Sequence, residues 1–349
     1  MTDFVRPNIS AMQGYVPGEQ PQGGKFIKLN TNENPYPASD SVALAIKSVL
    51  DKGLMRYPDA SGTAFRIAAA EVLGVEPDWI LCGNGSDDIL TILCRAMVGE
   101  GELLRLPTPS YVLYNTLARI QNSQSEEIPF DENWQLTTEF SESKPNLKLV
   151  FLPNPNSPSG TVVEQQAILD LANALPCPLL VDEAYADFAK FNCIDLVKQN
   201  EKIMVSRTLS KGYGLAGLRF GFLVAQPQII AELHKVRDSY NCDALSIAGA
   251  TAAISDQQWL GANRAKVIAT RDRLAAGMTQ LGFKVTPSQA NFVWSTHPDR
   301  PLKPLYEGLK TSKILTRYMD YASWGEGLRI SVGTDDQIDA CLTVLKSLI

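Results

Sequence analysis

The sequence predicts an α/β fold: a mostly parallel central sheet in a large domain, followed by a smaller α+β domain. Three observations carry that prediction. Short apolar, β-rich runs at 79–82, 147–152, 179–181, 203–205 and 220–224 alternate with helical stretches, as parallel strands covered on both faces do. Later, candidate strands at 291–295 and 328–332 return after a long helical stretch at 263–281. The length is 349 residues, which at roughly 150 residues per domain suggests about two. The expected division is an N-terminal arm over 1–29, a large domain over 30–245 and a small domain over 246–349.

The arm is expected because Pro7, Pro17, Pro21 and several glycines interrupt any period. A helix is predicted over 39–52, where Val42, Ala45, Ile46, Val49 and Leu50 recur at helical spacing before Gly53. A second runs over 63–73 and is closed by Gly74. The strand at 79–82 leads through a glycine turn into a helix over 89–98. One antiparallel strand at an edge is compatible with this pattern. Further helices are expected over 229–240 and 263–281. Thr334 and Gln337 form a capping box ahead of Ile338, Cys341, Leu342 and Leu345, the apolar stripe of a last helix.

Composition excludes several classes of function. Thirty-two basic against 38 acidic residues leave a net charge of −6, no field for a phosphate backbone. No apolar run approaches the ~18 residues of a membrane span, and no signal peptide is visible, so a cytoplasmic protein is expected. Six scattered cysteines without a C-x-x-C pair read as packed thiols. His234 and His297 alone build neither a metal site nor a nucleophile triad, so no metal is expected.

Four signals fall at predicted strand ends, where open α/β sheets hold ligands. Gly83-Asn84-Gly85-Ser86-Asp87 opens a helix, so it is either an anion cradle or an ordinary glycine turn. Asp182, delivered by an apolar strand, either caps the next element or meets a cation such as a protonated pyridine. Lys211 lies just past a buried strand among small residues, either solvated or desolvated into a nucleophilic amine. Its separation from Asp182, 211 − 182 = 29 residues, fits one strand-to-strand connection, and Arg219 follows with a fork for phosphate. Arg329 points away from Leu328 and Ile330, toward solvent or as an anion clamp with Arg317.

Together with Leu29-Asn30-Thr31-Asn32-Glu33-Asn34-Pro35, Arg56-Tyr57-Pro58-Asp59, Val181-Asp182-Glu183-Ala184-Tyr185 and Thr208-Leu209-Ser210-Lys211-Gly212-Tyr213-Gly214, these segments resemble the fold-type I PLP-dependent aminotransferases. Within them the chain is most similar to the histidinol-phosphate aminotransferase branch, along nearly its whole length. The resemblance implies that Lys211 carries pyridoxal 5′-phosphate covalently, that Asp182 holds the ring nitrogen protonated and that Tyr185 bonds the ring hydroxyl. It implies a ring stacked on Tyr111 and a phosphate cup of Gly85, Ser86, Asp87, Ser210 and Arg219, with Tyr57 from a second subunit. Tyr15, Arg317 and Arg329 match substrate-anion positions. The implied substrates are L-histidinol phosphate and glutamate/2-oxoglutarate, in a homodimer with active sites at the subunit interface. One departure stands out: Ser157-Pro158-Ser159-Gly160 replaces the usual Asn-Pro-Thr-Gly, so strict register puts Ser157 at the ring-hydroxyl contact, while a small backbone shift would bring Asn156 there, and Asn156 is the residue taken. An aromatic aminotransferase or a PLP-dependent phospho-amino-acid decarboxylase shares the same cofactor core. A nicotinamide oxidoreductase lacks its third fingerprint glycine here, and a regulator's sensor half lacks its DNA-binding segment.

Overall fold

The computed structural model describes residues 4–14, 18–21, 24–322 and 324–349. Tyr15 lies outside the described residues. The strands in chain order are β1 (Ile27–Lys28), β2 (Ile80–Gly83), β3 (Leu103–Thr108), β4 (Gln124–Pro129), β5 (Leu147–Pro153), β6 (Leu179–Asp182), β7 (Ile203–Thr208), β8 (Gly221–Val224), β9 (Lys284–Thr286), β10 (Phe292–Thr296), β11 (Ile314–Leu315), β12 (Arg317–Tyr321) and β13 (Gly325–Ser331).

Seven of them form the main sheet, in the order β2-β8-β7-β6-β5-β3-β4. Every residue of β2, β6 and β8 is buried, so both faces are covered, as the continuous apolar runs required. Alternate residues serve the two faces: Val150 and Leu152 enter one core with Phe65 and Ile247, while Leu149 and Phe151 enter the other with Ile89 and Leu93. The pairs β3–β4, β3–β5, β5–β6 and β6–β7 are parallel. The antiparallel strand is not at the edge, as expected from sequence, but second from it. That strand is β8, which runs against both β7 and β2.

Two strands of the main sheet, β3 and β4, escape the sequence reading, as do the short β1, β9, β11 and β12 elsewhere. β3 carries Arg105, which is fully buried yet bonded through Nε to Glu126 at 2.7 Å and through Nη1 to the carbonyls of Phe140 and Glu142. β4, Gln-Ser-Glu-Glu-Ile-Pro, is an edge strand, where charge and proline are tolerated.

The first helices agree with expectation: Asp40–Lys52 is capped by Ser39, and Thr63–Leu73 ends on left-handed Gly74. The predicted helix over 229–240 is shorter, Pro227–Leu233. Beyond it Arg237 donates to the carbonyls of Asp238 and Ser239 and to Asn241, which holds the chain in a turn. The helix Ala244–Ser255, not predicted, packs on Asp40–Lys52 and Thr63–Leu73. Its apolar residues surround its axis, so it shows no amphipathic period. Ile247, Ala250, Ala253 and Ile254 belong to the main-sheet core.

After the helix Gln257–Gln280, four antiparallel strands pair in the order β12-β13-β10-β9, and β1 pairs in parallel with β11. Leu29 joins Leu274, Val293, Leu328, Ile330 and Ile338 in the core of this part. The Thr334–Gln337 capping box opens the final helix, Asp335–Leu348. All six cysteines are buried and unpaired. Among the described residues no helix is long and apolar enough to cross a membrane, and no group of His, Cys, Asp and Glu could hold a metal ion.

Candidate active site

A cavity of about 400 Å³ opens at the carboxyl ends of β5, β6 and β7, beneath β12 and β13. Its floor is Asp182, the last residue of β6, which is paired in register with Ser206 of β7. Asp182 Oδ2 accepts the Tyr114 hydroxyl at 2.7 Å. Its Oδ1 accepts Ser206 Oγ and the Ala184 amide, each at 3.2 Å. Burial pushes the Asp182 pKa up, and these donors oppose that rise. Burial and the Asp182 charge hold the Tyr114 phenol protonated, so it remains a donor.

Lys211 follows β7 by three residues and lines the same cavity. Its Nζ donates to the Thr31 carbonyl at 3.1 Å and stands 5.8 Å from the centre of the Tyr185 ring. Burial, helped by the Arg329 charge, lowers its pKa to about 8. A far larger share of this amine is therefore neutral at physiological pH than in an ordinary lysine, although the cation still predominates.

At one end lies an anion cradle. The helix Ser86–Met97 begins on Gly85, at φ 87°, with no side chain capping it. Its first N–H groups thus lack intrahelical partners and its positive dipole end faces the cavity. A Cβ at Gly221 would stand 2.5 Å from the Ser86 backbone nitrogen, a closeness only glycine permits, while at Gly85 it is the left-handed φ that calls for glycine. Ser210 Oγ is buried without a partner among the described residues. The Tyr111 hydroxyl donates to Asp87 at 3.3 Å.

At the other end, β12 and β13 place Arg317 directly opposite Arg329. Arg329 donates through Nη1 to Ser157 Oγ at 2.8 Å and through Nη2 to the Asn30 carbonyl at 3.1 Å. Met319 and Tyr321 of β12 line the wall between.

Ser86, Asp87, Tyr111, Asp182, Tyr185, Ser210, Lys211, Arg219, Arg317 and Arg329 therefore share one cavity, with Gly85 directly behind it. Asn156 does not line it. Ser157 does, while Asn156 is buried behind, its amide nitrogen bonded to the Pro109 carbonyl and Ser159 Oγ. Tyr57 lies outside this chain's cavity, 81% exposed and stacked on Tyr240 at 4.5 Å. The sequence reading missed Tyr114, and it named the Asn32 to Asn34 segment without assigning it a role. Asn34 holds the carbonyls of Lys211 and Gly212 through its amide, at 2.9 and 3.1 Å.

Comparison with known proteins bears on the same constellation. The family described as aminotransferase class I and II matches residues 24–345. Histidinol-phosphate aminotransferase from Rhodopirellula baltica is 60% identical over 342 residues, covering 98% of this chain and 94% of that protein. Histidinol-phosphate aminotransferase 1 from Nostoc sp. is 45% identical over 350 residues, covering 100% and 99%. The crystal structure of histidinol-phosphate aminotransferase from Sinorhizobium meliloti in complex with pyridoxal-5′-phosphate superposes with a TM-score of 0.90 at 25% identity, covering 100% of this chain and 98% of that one. The fold is the one the sequence resemblance implied, and the chain belongs to the class I and II aminotransferase family.

Proposed function

We propose that this chain transfers an amino group between L-histidinol phosphate and 2-oxoglutarate, in histidine biosynthesis, with pyridoxal 5′-phosphate as cofactor. The observation that carries the reading is Asp182 and Lys211 in one cavity, an anion cradle at one end and an arginine pair at the other. The residues suit the cofactor. Unpartnered Ser210 Oγ and the uncapped helix on Gly85 suit its phosphate, and a buried carboxylate suits a protonated ring nitrogen.

When bound, the cofactor supplies an electron sink for the carbon that carries the amino group. Asp182 would keep the ring nitrogen positive, and Tyr111 would cover the ring. The Arg219 and Ser210 side chains would join the backbone N–H groups of Ser86 and Asp87 around the phosphate. Tyr185 and, in this reading, Ser157 in place of Asn156 would face the ring hydroxyl. Lys211, its pKa lowered by burial, would hold the cofactor and then move the proton at the substrate carbon, a role worth on the order of 10²–10⁴-fold. Arg317 and Arg329 would clamp the substrate anion. A guanidinium fork fits a carboxylate and a phosphate alike, so one pair serves both substrates.

A homodimer belongs to the same proposal. Tyr57 is exposed, as are Leu50, Leu54 and Met55 near it in sequence, and exposed apolar side chains of this kind support a surface for a second copy, to whose cradle Tyr57 would belong. Unpaired cysteines fit a cytoplasmic location. The expected division at 245 would cut just inside the helix Ala244–Ser255, whose core residues pack with the main sheet, and that packing supports a boundary after Ser255.

The test is to incubate the purified protein with L-histidinol phosphate and 2-oxoglutarate and to follow glutamate. Glutamate formed in step with substrate loss is expected. Release of carbon dioxide without glutamate points to a decarboxylase, and turnover confined to aromatic amino acids to an aromatic aminotransferase.

A further inference from the structure

Asn32 is a buried residue outside every role given above, held in the left-handed backbone region at φ 55°. Three hydrogen bonds fasten it there. Its amide nitrogen donates to Ser331 Oγ at 2.8 Å, the Ser331 hydroxyl donates to its Oδ1 at 2.9 Å, and Asn291 Nδ2 donates to its carbonyl at 2.9 Å. One donor is left, and Nδ2 is 3.0 Å from the Tyr185 hydroxyl oxygen.

The Ser331 bonds decide which way the carboxamide faces. The reverse orientation would turn Nδ2 onto Ser331 Oγ, which already accepts the Asn32 backbone N–H, and the buried Ser331 proton would lose its only acceptor among the described residues. The carboxamide thus donates to Tyr185, and the phenol oxygen accepts.

We propose that Asn32 is a positioning residue that sets the direction of the Tyr185 hydrogen bond, so that the Tyr185 proton is presented to the cavity. An oxygen that accepts from Asn32 has its own proton left for another acceptor, and Tyr185 lines the cavity beside Lys211. The inference rests on the pyridoxal phosphate reading, in which that acceptor is the cofactor's ring oxygen. It also ties the two sheets together, because Ser331 ends β13 while Tyr185 follows β6. The charged groups around Tyr185 are Arg329, Asp182 and Lys211, with Ser157 and the edge of Phe292 completing its surroundings.

The experiment is a pH titration of the visible absorption of the protein loaded with pyridoxal phosphate, for wild type, Asn32→Asp and Asn32→Gly. Asp and Gly both tolerate a left-handed backbone, so the side-chain donor is the intended change. A carboxylate at 32 accepts the Tyr185 proton and withdraws it from the cavity. A proton-binding group that loses this donor to its anionic form is protonated at higher pH, and the midpoint in Asn32→Asp is expected to rise by about one unit, a tenfold change in the proton equilibrium. Asn32→Gly leaves the phenol free to rotate, so its rise is smaller; if the Asp variant does not fold, the Gly rise carries the test. Midpoints equal to wild type in folded variants overturn the inference alone. A protein that takes up no chromophore overturns the functional reading and the inference together.

Discussion

Asp182 and Glu183 are adjacent, buried carboxylates that face opposite ways. Asp182 points into the cavity, where neutral donors satisfy it and no cation of this chain is bonded to it among the described residues. Glu183 points behind the strand ends, where Arg207 donates to it at 3.2 Å and also pairs with Asp187. Burial raises both pKa values, that of Glu183 to about 7 against the opposing Arg207 charge. The difference is in the partner. A buried carboxylate with its own guanidinium is a structural ion cluster, whereas one held only by neutral donors is available to an external cation.

Four experiments break or sharpen that comparison. The largest effect is expected for Lys211→Ala, on the cavity side: turnover falls by about 10⁴-fold, the upper end for a general acid–base group. Thermal unfolding stays near wild type, and normal activity in this variant would end the functional proposal. Arg207→Met, on the other side, strands Glu183 and Asp187 and is expected to cost about 3–5 kcal/mol in urea unfolding. Wild-type stability there, with lost turnover, would mean that the two sides are one unit.

Tyr114→Phe keeps the ring against Tyr111 and Phe151 but removes the 2.7 Å donor to Asp182. Pyridoxal phosphate affinity is expected to weaken about tenfold, the weight of one hydrogen bond to a charged group. The smallest intervention changes no residue. Lys211 of the cofactor-free protein is neutral above its pKa, so its rate of trinitrophenylation rises with pH through a midpoint of about 8. A midpoint near 10.5, that of an ordinary lysine, would show an amine that burial does not reach.

The cofactor end of the cavity was legible because its parts are local. Asp182 ends one apolar strand and Lys211 lies three residues past the next, and the register Asp182↔Ser206 brings these strand ends together. Gly85 opens its helix in the same manner. The substrate end was less legible, because Arg329 reaches Ser157 across 172 positions and Asn30 across 299. No local period encodes such a meeting. Ser157 illustrates the limit: strict register pointed to it, an assumed backbone shift pointed to Asn156, and the cavity wall holds Ser157.

By itself the sequence determined the alternation of strands and helices, the turns at the strand ends and the residues those turns carry, since backbone preference and hydrophobic period act over a few neighbours. Only the tertiary structure decided that β8 runs antiparallel inside the sheet, that buried Arg105 belongs in a strand, and that Tyr114 and Asn32 point at Asp182 and Tyr185. A buried polar group must find its partner wherever the packed chain places one, and that meeting depends on segments far apart in sequence.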